Sequence, residues 1–172
     1  AEAANVAIIT AVFFEDFRGM TTVFVFPGQG SQAIGMLAAL AAEYPDVERT
    51  FAQASVALGY DLWQVTQHGP AEQLNSTECT QPAMLAAGIA TLRIWQRLGG
   101  PVPDAVAGHS LGEFTALVAA EALDFATAID LVRWRGRFMQ DAVPAGEGAV
   151  AAILGLDAAE LALNALVRLV VG

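Results

Sequence analysis

The sequence predicts an α/β fold with parallel strands, because short apolar segments rich in β-branched residues alternate with longer segments of helical periodicity. The main predicted strands end at glycine or proline, which is typical of buried strands that lead into tight turns. The chain has 172 residues, of which 55% are hydrophobic and 15% charged. This composition is typical of one globular domain and excludes an intrinsically disordered chain.

The first third of the chain is predicted to contain one strand and two helices. β-branched and aromatic residues predict the strand at 22–26. A helix is expected to follow, capped by Ser31 and stopped by Pro45. A second helix is expected at 46–58, with Gly59 at its C-terminal cap.

The middle of the chain is predicted to alternate helices with a buried strand. A polar stretch at 64–80 is interpreted as a loop. A long helix is expected at 82–98, with its proline in the first turn and two glycines after its end. A short strand is expected at 104–107, followed by helices at 113–120 and 125–140.

The two ends of the chain are less regular. Residues 1–19 do not share the alternating pattern, and Met20 is interpreted as the natural start. Within them, the apolar run 6–14 is compatible with either a strand or a helix. Near the C-terminus, a strand is predicted at 148–156 and a helix at 157–169.

Charge and composition exclude several functional classes. Eighteen acidic and eight basic residues give a net charge of −10, which repels a nucleic-acid backbone. All eight basic residues are arginine, so a Schiff-base lysine or a phosphate-binding lysine of a P-loop is excluded. The single cysteine, Cys79, cannot form an intrachain disulfide. No run reaches the roughly 18 apolar residues of a membrane span, so we expect a cytoplasmic protein without membrane contact.

The motif GHSLG at 108–112 carries the clearest chemical signal. It follows a predicted strand and precedes a predicted helix, which is the setting of a nucleophilic serine on a sharp turn. Ser110 would be the nucleophile, and the backbone N–H of Leu111 would stabilise a developing oxyanion at the helix N-terminus. The alternative is an ordinary glycine-rich turn, which the strand and helix on either side disfavour.

A second glycine-rich turn, GQGSQA at 28–33, follows the first predicted strand. It fits the dinucleotide-binding pattern G-x-G-x-x-A, which requires an acidic residue at the end of a second strand. Asp46 and Glu48 lie at about the right distance but in a predicted helix, so this interpretation is weak. A turn that offers the N–H of Gln29 as a second oxyanion donor fits Ser110 better.

Three arginines on the last amphipathic helix are candidates for binding an anion. Arg133, Arg135 and Arg137 lie within five residues, and a guanidinium can grip a carboxylate with two hydrogen bonds. A single arginine on an exposed helical face is more often simply solvated, and position alone does not choose among the three. Neither His68 nor His109 is a convincing base for the serine.

Several longer motifs identify a resemblance. From Thr22 to about Leu156 the chain resembles the malonyl-CoA:acyl-carrier-protein transacylases of bacterial fatty-acid synthesis. The matching motifs are VFVFPGQGSQ at 23–32, LGYDLW at 58–63, GPAEQLN at 69–75, TQPA at 80–83, GHSLGE at 108–113, and RGRFMQ running into AVPAGEGAVAAILGL at 135–156.

The resemblance implies a two-step transfer. A serine takes malonyl from malonyl-CoA and passes it to the phosphopantetheine thiol of acyl carrier protein, with no cofactor or metal. Ser110 matches the nucleophile, and Gln29 and Leu111 match the amides of the oxyanion hole. Arg135 matches the arginine that pairs with the free malonyl carboxylate, which resolves the choice among the three arginines.

The resemblance also implies a domain organisation. Residues 1–19 would be a leader outside the family, 20–145 the N-terminal part of a hydrolase-like large subdomain with a parallel sheet, and 146–172 the start of a ferredoxin-like small subdomain. The family's catalytic histidine lies beyond the last residue of the sequence, so we expect an N-terminal fragment with impaired transfer. The alternatives are a fragment of a polyketide-synthase acyltransferase, a serine hydrolase and a fragment without catalysis.

Overall fold

The computed structural model describes residues 7–9 and 22–142, and within them it shows a parallel sheet flanked by helices. The sheet has the strand order β1-β3-β2. Its strands are β1 (Ala7–Ile9), β2 (Val23–Phe26) and β3 (Ala105–Gly108). Both β1 and β2 run parallel to β3, and Phe24 lies opposite Val106 in the register. The predicted fold class is confirmed.

Helices make up most of the segment from 22 to 142. They are α1 (Ala38–Glu43), α2 (Asp46–Leu58), α3 (Leu62–His68), α4 (Ala71–Asn75), α5 (Thr77–Arg97), α6 (Leu111–Ala119) and α7 (Phe125–Asp141). Among the described residues, no helix combines the length and apolarity needed to cross a bilayer.

Several predicted elements are confirmed to within one or two residues. β2 and β3 occupy the strands predicted at 22–26 and 104–107, and α6 and α7 occupy the helices predicted at 113–120 and 125–140. α2 spans the predicted residues, and Gly59 follows it with a left-handed φ of 78°. Within the apolar run 6–14, residues 7–9 form a strand, while the rest of that run and the elements predicted at 148–169 lie outside the described residues.

The helix predicted from Ser31 is wrong at its start. The helix begins only at Ala38, because the backbone before it makes other bonds. The N–H of Gly35 donates to the carbonyl of Thr66 at 2.9 Å, and Leu37 has a left-handed φ of 64°. A segment tied to α3 in this way cannot continue a helical hydrogen-bond pattern upstream of Ala38.

The loop predicted at 64–80 is also wrong, since α3, α4 and the start of α5 cover most of it. Its polar residues are compatible with helices because their side chains bond nearby carbonyls. Thr66 Oγ1 donates to Leu62 O at 2.8 Å, and Thr80 Oγ1 donates to Leu74 O at 2.5 Å. Threonines whose buried hydroxyls bond neighbouring carbonyls can therefore lie in helices, although a polar composition in the sequence favours a loop.

The proline of α5 does not lie in the first turn of its helix, where the sequence predicts it. Because α5 begins at Thr77, Pro82 is the sixth residue of the helix and not part of its first turn. Proline lacks an N–H, so the carbonyl of Glu78 receives no helical bond from it. The helix nevertheless continues to Arg97, and most of it is buried.

The core lies around α5. This helix packs between α2 and α7, and its buried residues contact the buried faces of both. On the sheet, Phe26 and Val106 pack against Ala116 of α6. α6 therefore covers one face of the sheet and begins where β3 ends, which places the turn between them at the edge that β2 also reaches.

Candidate active site

Ser110 lies on the turn between β3 and α6, in a strained backbone conformation. Its φ is 55° and its ψ is −108°, a region that residues other than glycine rarely adopt. The glycines on either side allow this turn. A Cβ at Gly108 would overlap the backbone of Gly112, and a Cβ at Gly112 would overlap the carbonyl of Phe26. The backbone is therefore tightly packed while Ser110 itself stays exposed, as a nucleophile on a sharp turn requires.

The glycine-rich turn after β2 packs against the serine turn. The N–H of His109 donates to Phe26 O at 3.3 Å. A Cβ at Gly28 would lie 3.1 Å from the carbonyl of His109, so the two turns approach at the backbone level. Gln29 is the next residue, and its side chain donates to Thr77 Oγ1 at 3.4 Å. The turn that carries the predicted Gln29 amide therefore lies beside Ser110.

The second predicted oxyanion donor, Leu111, is the first residue of α6 and is buried. Its N–H belongs to the first turn of a helix, where backbone N–H groups lack intrahelical partners. The dinucleotide pattern, in contrast, is not completed. Asp46 and Glu48 lie in the first turn of α2 and not at the end of a strand.

Arg135 reaches the serine. Its Nη2 donates to Ser110 Oγ at 2.9 Å, and its Nη1 donates to Gln81 Oε1 at 2.9 Å. The guanidinium carbon also lies 5.8 Å from the centre of the Phe114 ring. A half-buried guanidinium is thus held next to a nucleophilic oxygen by contacts from α5, α6 and the serine turn.

The other two arginines of α7 have acidic partners. Arg133 pairs with Asp130 at 2.6 Å, and Arg137 pairs with Asp141 at 3.8 Å. Within residues 22–142, no carboxylate pairs with Arg135. Its charge is therefore available to an anion that enters beside Ser110, because guanidinium binds carboxylates with two parallel hydrogen bonds.

The histidines do not complete a triad in the described part of the chain. His68 is the exposed last residue of α3, and His109 is exposed on the turn. Over residues 22–142 no hydrogen bond joins either imidazole to Ser110, whose oxygen is bonded by the donor Arg135. Within residues 22–142, the site therefore contains a nucleophile and a cation, and no proton acceptor is bonded to the serine.

The buried cysteine is not a competing nucleophile. Cys79 lies on α5, and its burial raises the pKa of the thiol, so the thiol stays protonated at neutral pH. Burial likewise raises the pKa of the neighbouring Tyr60 hydroxyl far above its ordinary value. Neither Cys79 nor Tyr60 therefore competes with Ser110 as a nucleophile.

An open apolar groove of about 500 Å³ adjoins the arginine. Arg135 and Ala142 contribute to it, together with apolar side chains from α6 and α7. These side chains are Phe114, Leu131, Trp134, Phe138 and Met139. The groove gives the cation an apolar neighbourhood, which strengthens its interaction with an anion relative to open water.

Two residues of this site were not identified from the sequence. Gln81 lies in the motif TQPA, which supported the resemblance without any role for its glutamine. Phe114 follows the serine by four residues, and its sequence position suggests only an aromatic side chain in the core and no contact with Arg135. A usable signal did exist for the arginines: acidic residues three and four positions away from Arg133 and Arg137 mark these two as paired.

Comparison with known proteins shows which family the sequence of this chain matches. Residues 23–172 match the family model of the acyl transferase domain. The malonyl CoA-acyl carrier protein transacylase of Escherichia coli strain K12 is 64% identical over 139 residues, which are 81% of this chain and 45% of that protein. The chain thus spans less than half the length of this curated relative.

Two solved structures are similar in fold as well as in sequence. An acyl carrier protein S-malonyltransferase from Vibrio cholerae matches with a TM-score of 0.75 and 60% identity, over 78% of this chain and 44% of that one. A type II PKS acyl-carrier protein in complex with its malonyl-transacylase matches with a TM-score of 0.71 and 60% identity, over 72% of this chain and 40% of that one.

Proposed function

The chain belongs to the acyl transferase domain family, and on that premise we propose that Ser110 accepts a malonyl group from malonyl-CoA. The seryl ester would then be passed to the phosphopantetheine thiol of an acyl carrier protein. The observation that carries this proposal is the 2.9 Å hydrogen bond from Arg135 to Ser110, made by an arginine without a carboxylate partner in the described chain.

The first step forms an oxygen ester and breaks a thioester. Ser110 Oγ attacks the thioester carbonyl, the C–S bond breaks, and the serine proton ends on the thiol of coenzyme A. During the attack, negative charge develops on the carbonyl oxygen. The N–H groups of Gln29 and Leu111 would receive it, since both belong to the two packed turns around Ser110.

The second step reverses the first with another thiol. The phosphopantetheine thiol attacks the seryl ester, the O–C bond breaks, and Ser110 regains its proton. The name of the solved complex describes an acyl-carrier protein bound to its malonyl-transacylase, which supports an acyl carrier protein as the acceptor here. No redox or metal step is required, because both half-reactions are nucleophilic acyl substitutions. We expect this reaction to take place in the cytoplasm.

Arg135 would select the acyl group. A malonyl thioester carries a free carboxylate close to the carbonyl that reacts, and the guanidinium lies within hydrogen-bond distance of the attacking oxygen. One arginine can therefore hold the carboxylate while the carbonyl meets Ser110. An acetyl group offers no carboxylate and would lose this interaction.

The proton on Ser110 also needs an acceptor. The hydrogen bonds described for Ser110 include the donor Arg135 and no base. We therefore expect Ser110 to be acylated slowly in this chain by itself. When a serine nucleophile lacks its base, the oxyanion hole and substrate binding alone retain a rate only about 10³- to 10⁴-fold above that of the uncatalysed reaction.

The proposal is tested by intact-mass spectrometry of the purified chain after incubation with malonyl-CoA. We expect a malonyl adduct that maps to Ser110 and is absent from Ser110→Ala. Ser76→Ala is a matched control, since Ser76 is a serine outside the site, and it should form the adduct at the wild-type rate. Release of coenzyme A without any adduct would favour a hydrolase, and no reaction at all would contradict the proposal.

A further inference from the structure

Gln81 is buried on α5, and both ends of its amide contact α7. Its exposed fraction is 0%. Oε1 accepts the hydrogen bond from Arg135 Nη1 at 2.9 Å, and Nε2 lies 3.3 Å from Met139 Sδ as a donor. Arg135 and Met139 are one helical turn apart, so a single amide contacts two successive turns of the helix that carries the arginine.

A close approach of the two helices brings Gln81 within reach. A Cβ at Gly136 would lie 2.5 Å from the carbonyl oxygen of Thr77, so glycine at this position permits contact between the two backbones. Gly136 directly follows Arg135, and Thr77 begins α5 one turn before Gln81. The partnership between amide and guanidinium therefore depends on how closely these helices pack.

The chemistry of the partner matters as much as its position. A carboxylate in place of the amide would neutralise the guanidinium, as Asp130 and Asp141 do for the neighbouring arginines. An amide oxygen accepts the same hydrogen bond but carries no charge. The buried partner of Arg135 thus fixes one nitrogen of the guanidinium without cancelling its positive charge.

We propose that Gln81 is a positioning residue that aims Arg135 at Ser110 and, being neutral, leaves the arginine's charge for the carboxylate of the acyl substrate. This inference rests on the proposed malonyl transfer. It assigns to Gln81 a part of the discrimination between acyl groups with and without a carboxylate, although its amide does not touch the substrate. The TQPA motif at 80–83 thereby gains a physical role.

The first experiment measures adduct formation from malonyl-CoA and acetyl-CoA in separate reactions of wild type and Gln81→Glu. The substitution keeps the side-chain size and places a carboxylate against Arg135. We expect the rate with malonyl-CoA to fall at least tenfold and the rate with acetyl-CoA to change less than threefold. A change in this rate ratio is not expected from a loss of fold, which lowers both rates together.

Gln53→Glu is the matched control. Gln53 Oε1 accepts a hydrogen bond from Arg93 Nη1 at 2.8 Å, so the control makes the same substitution next to another arginine, away from Ser110. We expect the wild-type ratio of malonyl to acetyl rates in this variant. An unchanged ratio in Gln81→Glu, or an equal change in Gln53→Glu, would overturn the inference.

A second experiment does not depend on acylation. Gln81→Leu removes the hydrogen bond without adding charge, and phenylglyoxal labels accessible guanidinium groups. Peptide mass spectrometry then compares labelling of Arg135 with that of Arg137, which serves as the internal reference. We expect the ratio of Arg135 to Arg137 labelling to rise at least threefold in Gln81→Leu.

The two experiments separate the inference from the function on which it rests. If wild type forms no adduct, the proposed malonyl transfer fails, and the labelling ratio still tests the contact between Gln81 and Arg135. If wild type forms the adduct but the labelling ratio is unchanged in Gln81→Leu, Gln81 does not hold Arg135 and the inference is overturned.

Discussion

Ser110 and Arg135 meet at one site, but they are held in place by different means. Ser110 is positioned by the backbone, because it lies on a strained turn in which Gly108 and Gly112 pack against neighbouring main chain. Arg135 is positioned by side chains, since its long flexible chain takes its direction from Gln81 and Phe114. The nucleophile therefore tolerates few changes nearby, whereas the cation can be retuned by substituting its partners.

The largest effect is expected at the serine turn. Gly112→Ala places a methyl group against the carbonyl of Phe26, and backbone cannot yield as a flexible side chain can. We expect the free energy of unfolding to fall by about 3 kcal/mol, with loss of adduct formation at Ser110. Urea denaturation followed by circular dichroism measures the change.

Gly99→Ala is the control for the glycine substitution itself. Gly99 has a left-handed φ of 77°, and a Cβ there would meet no atom within 4 Å. Only the backbone cost remains, about 1 to 2 kcal/mol. Equal losses in the two variants would show that the close packing around Ser110 does not fix the turn.

A smaller change in the free energy of unfolding is expected at Asp46, which is the ionised partner of two arginines outside the site. Asp46 accepts hydrogen bonds from Arg97 at 2.6 Å and from Arg49 at 3.0 Å. The hydrogen bond from Arg97 lowers the pKa of Asp46. A carboxyl with a lowered folded pKa stabilises the fold above its unfolded pKa of about 4, and this contribution is lost as pH falls through the folded value.

We therefore expect the free energy of unfolding to decline in this acid range, and to decline less steeply in Asp46→Asn. Urea denaturation at a series of pH values from neutral to about 3 measures both slopes. The amide of Gln81 does not titrate in this pH range, so the hydrogen bond between Gln81 and Arg135 does not depend on pH there. Identical slopes in wild type and in Asp46→Asn would contradict the expected difference between a carboxylate partner such as Asp46, whose contribution titrates, and an amide partner such as Gln81, whose contribution does not.

The extent to which the sequence predicts this site follows from the same contrast. The serine turn is encoded locally: GHSLG between a strand and a helix is sufficient to predict it. The partner of Arg135 is 54 positions away in sequence, and its contact depends on how α5 packs on α7. A glutamine in a helical segment carries no local sign of such a contact, so Gln81 was not predicted.

The fold shows a similar division. α2 was predictable to its end residues because its apolar spacing and Gly59 are local signals. The start of α1 at Ala38 was not predictable, since the segment before it bonds to the distant Thr66. The helices within 64–80 were missed because threonines bonded to nearby carbonyls resemble loop residues in composition. The boundaries proposed at 19 and 145 stay predictions.

The most direct test of the proposed function is a competition between malonyl-CoA and acetyl-CoA at equal concentration, read as the two seryl adducts on one chain by intact-mass spectrometry. In wild type we expect the malonyl adduct to dominate. In Arg135→Ala we expect the malonyl rate to fall about 10- to 100-fold, which is the value of one charge-assisted interaction of about 1.5 to 3 kcal/mol. Arg133→Ala, whose arginine already pairs with Asp130, should keep the wild-type ratio. Equal malonyl and acetyl adducts in wild type, or an unchanged ratio in Arg135→Ala, would contradict a carboxylate site beside Ser110.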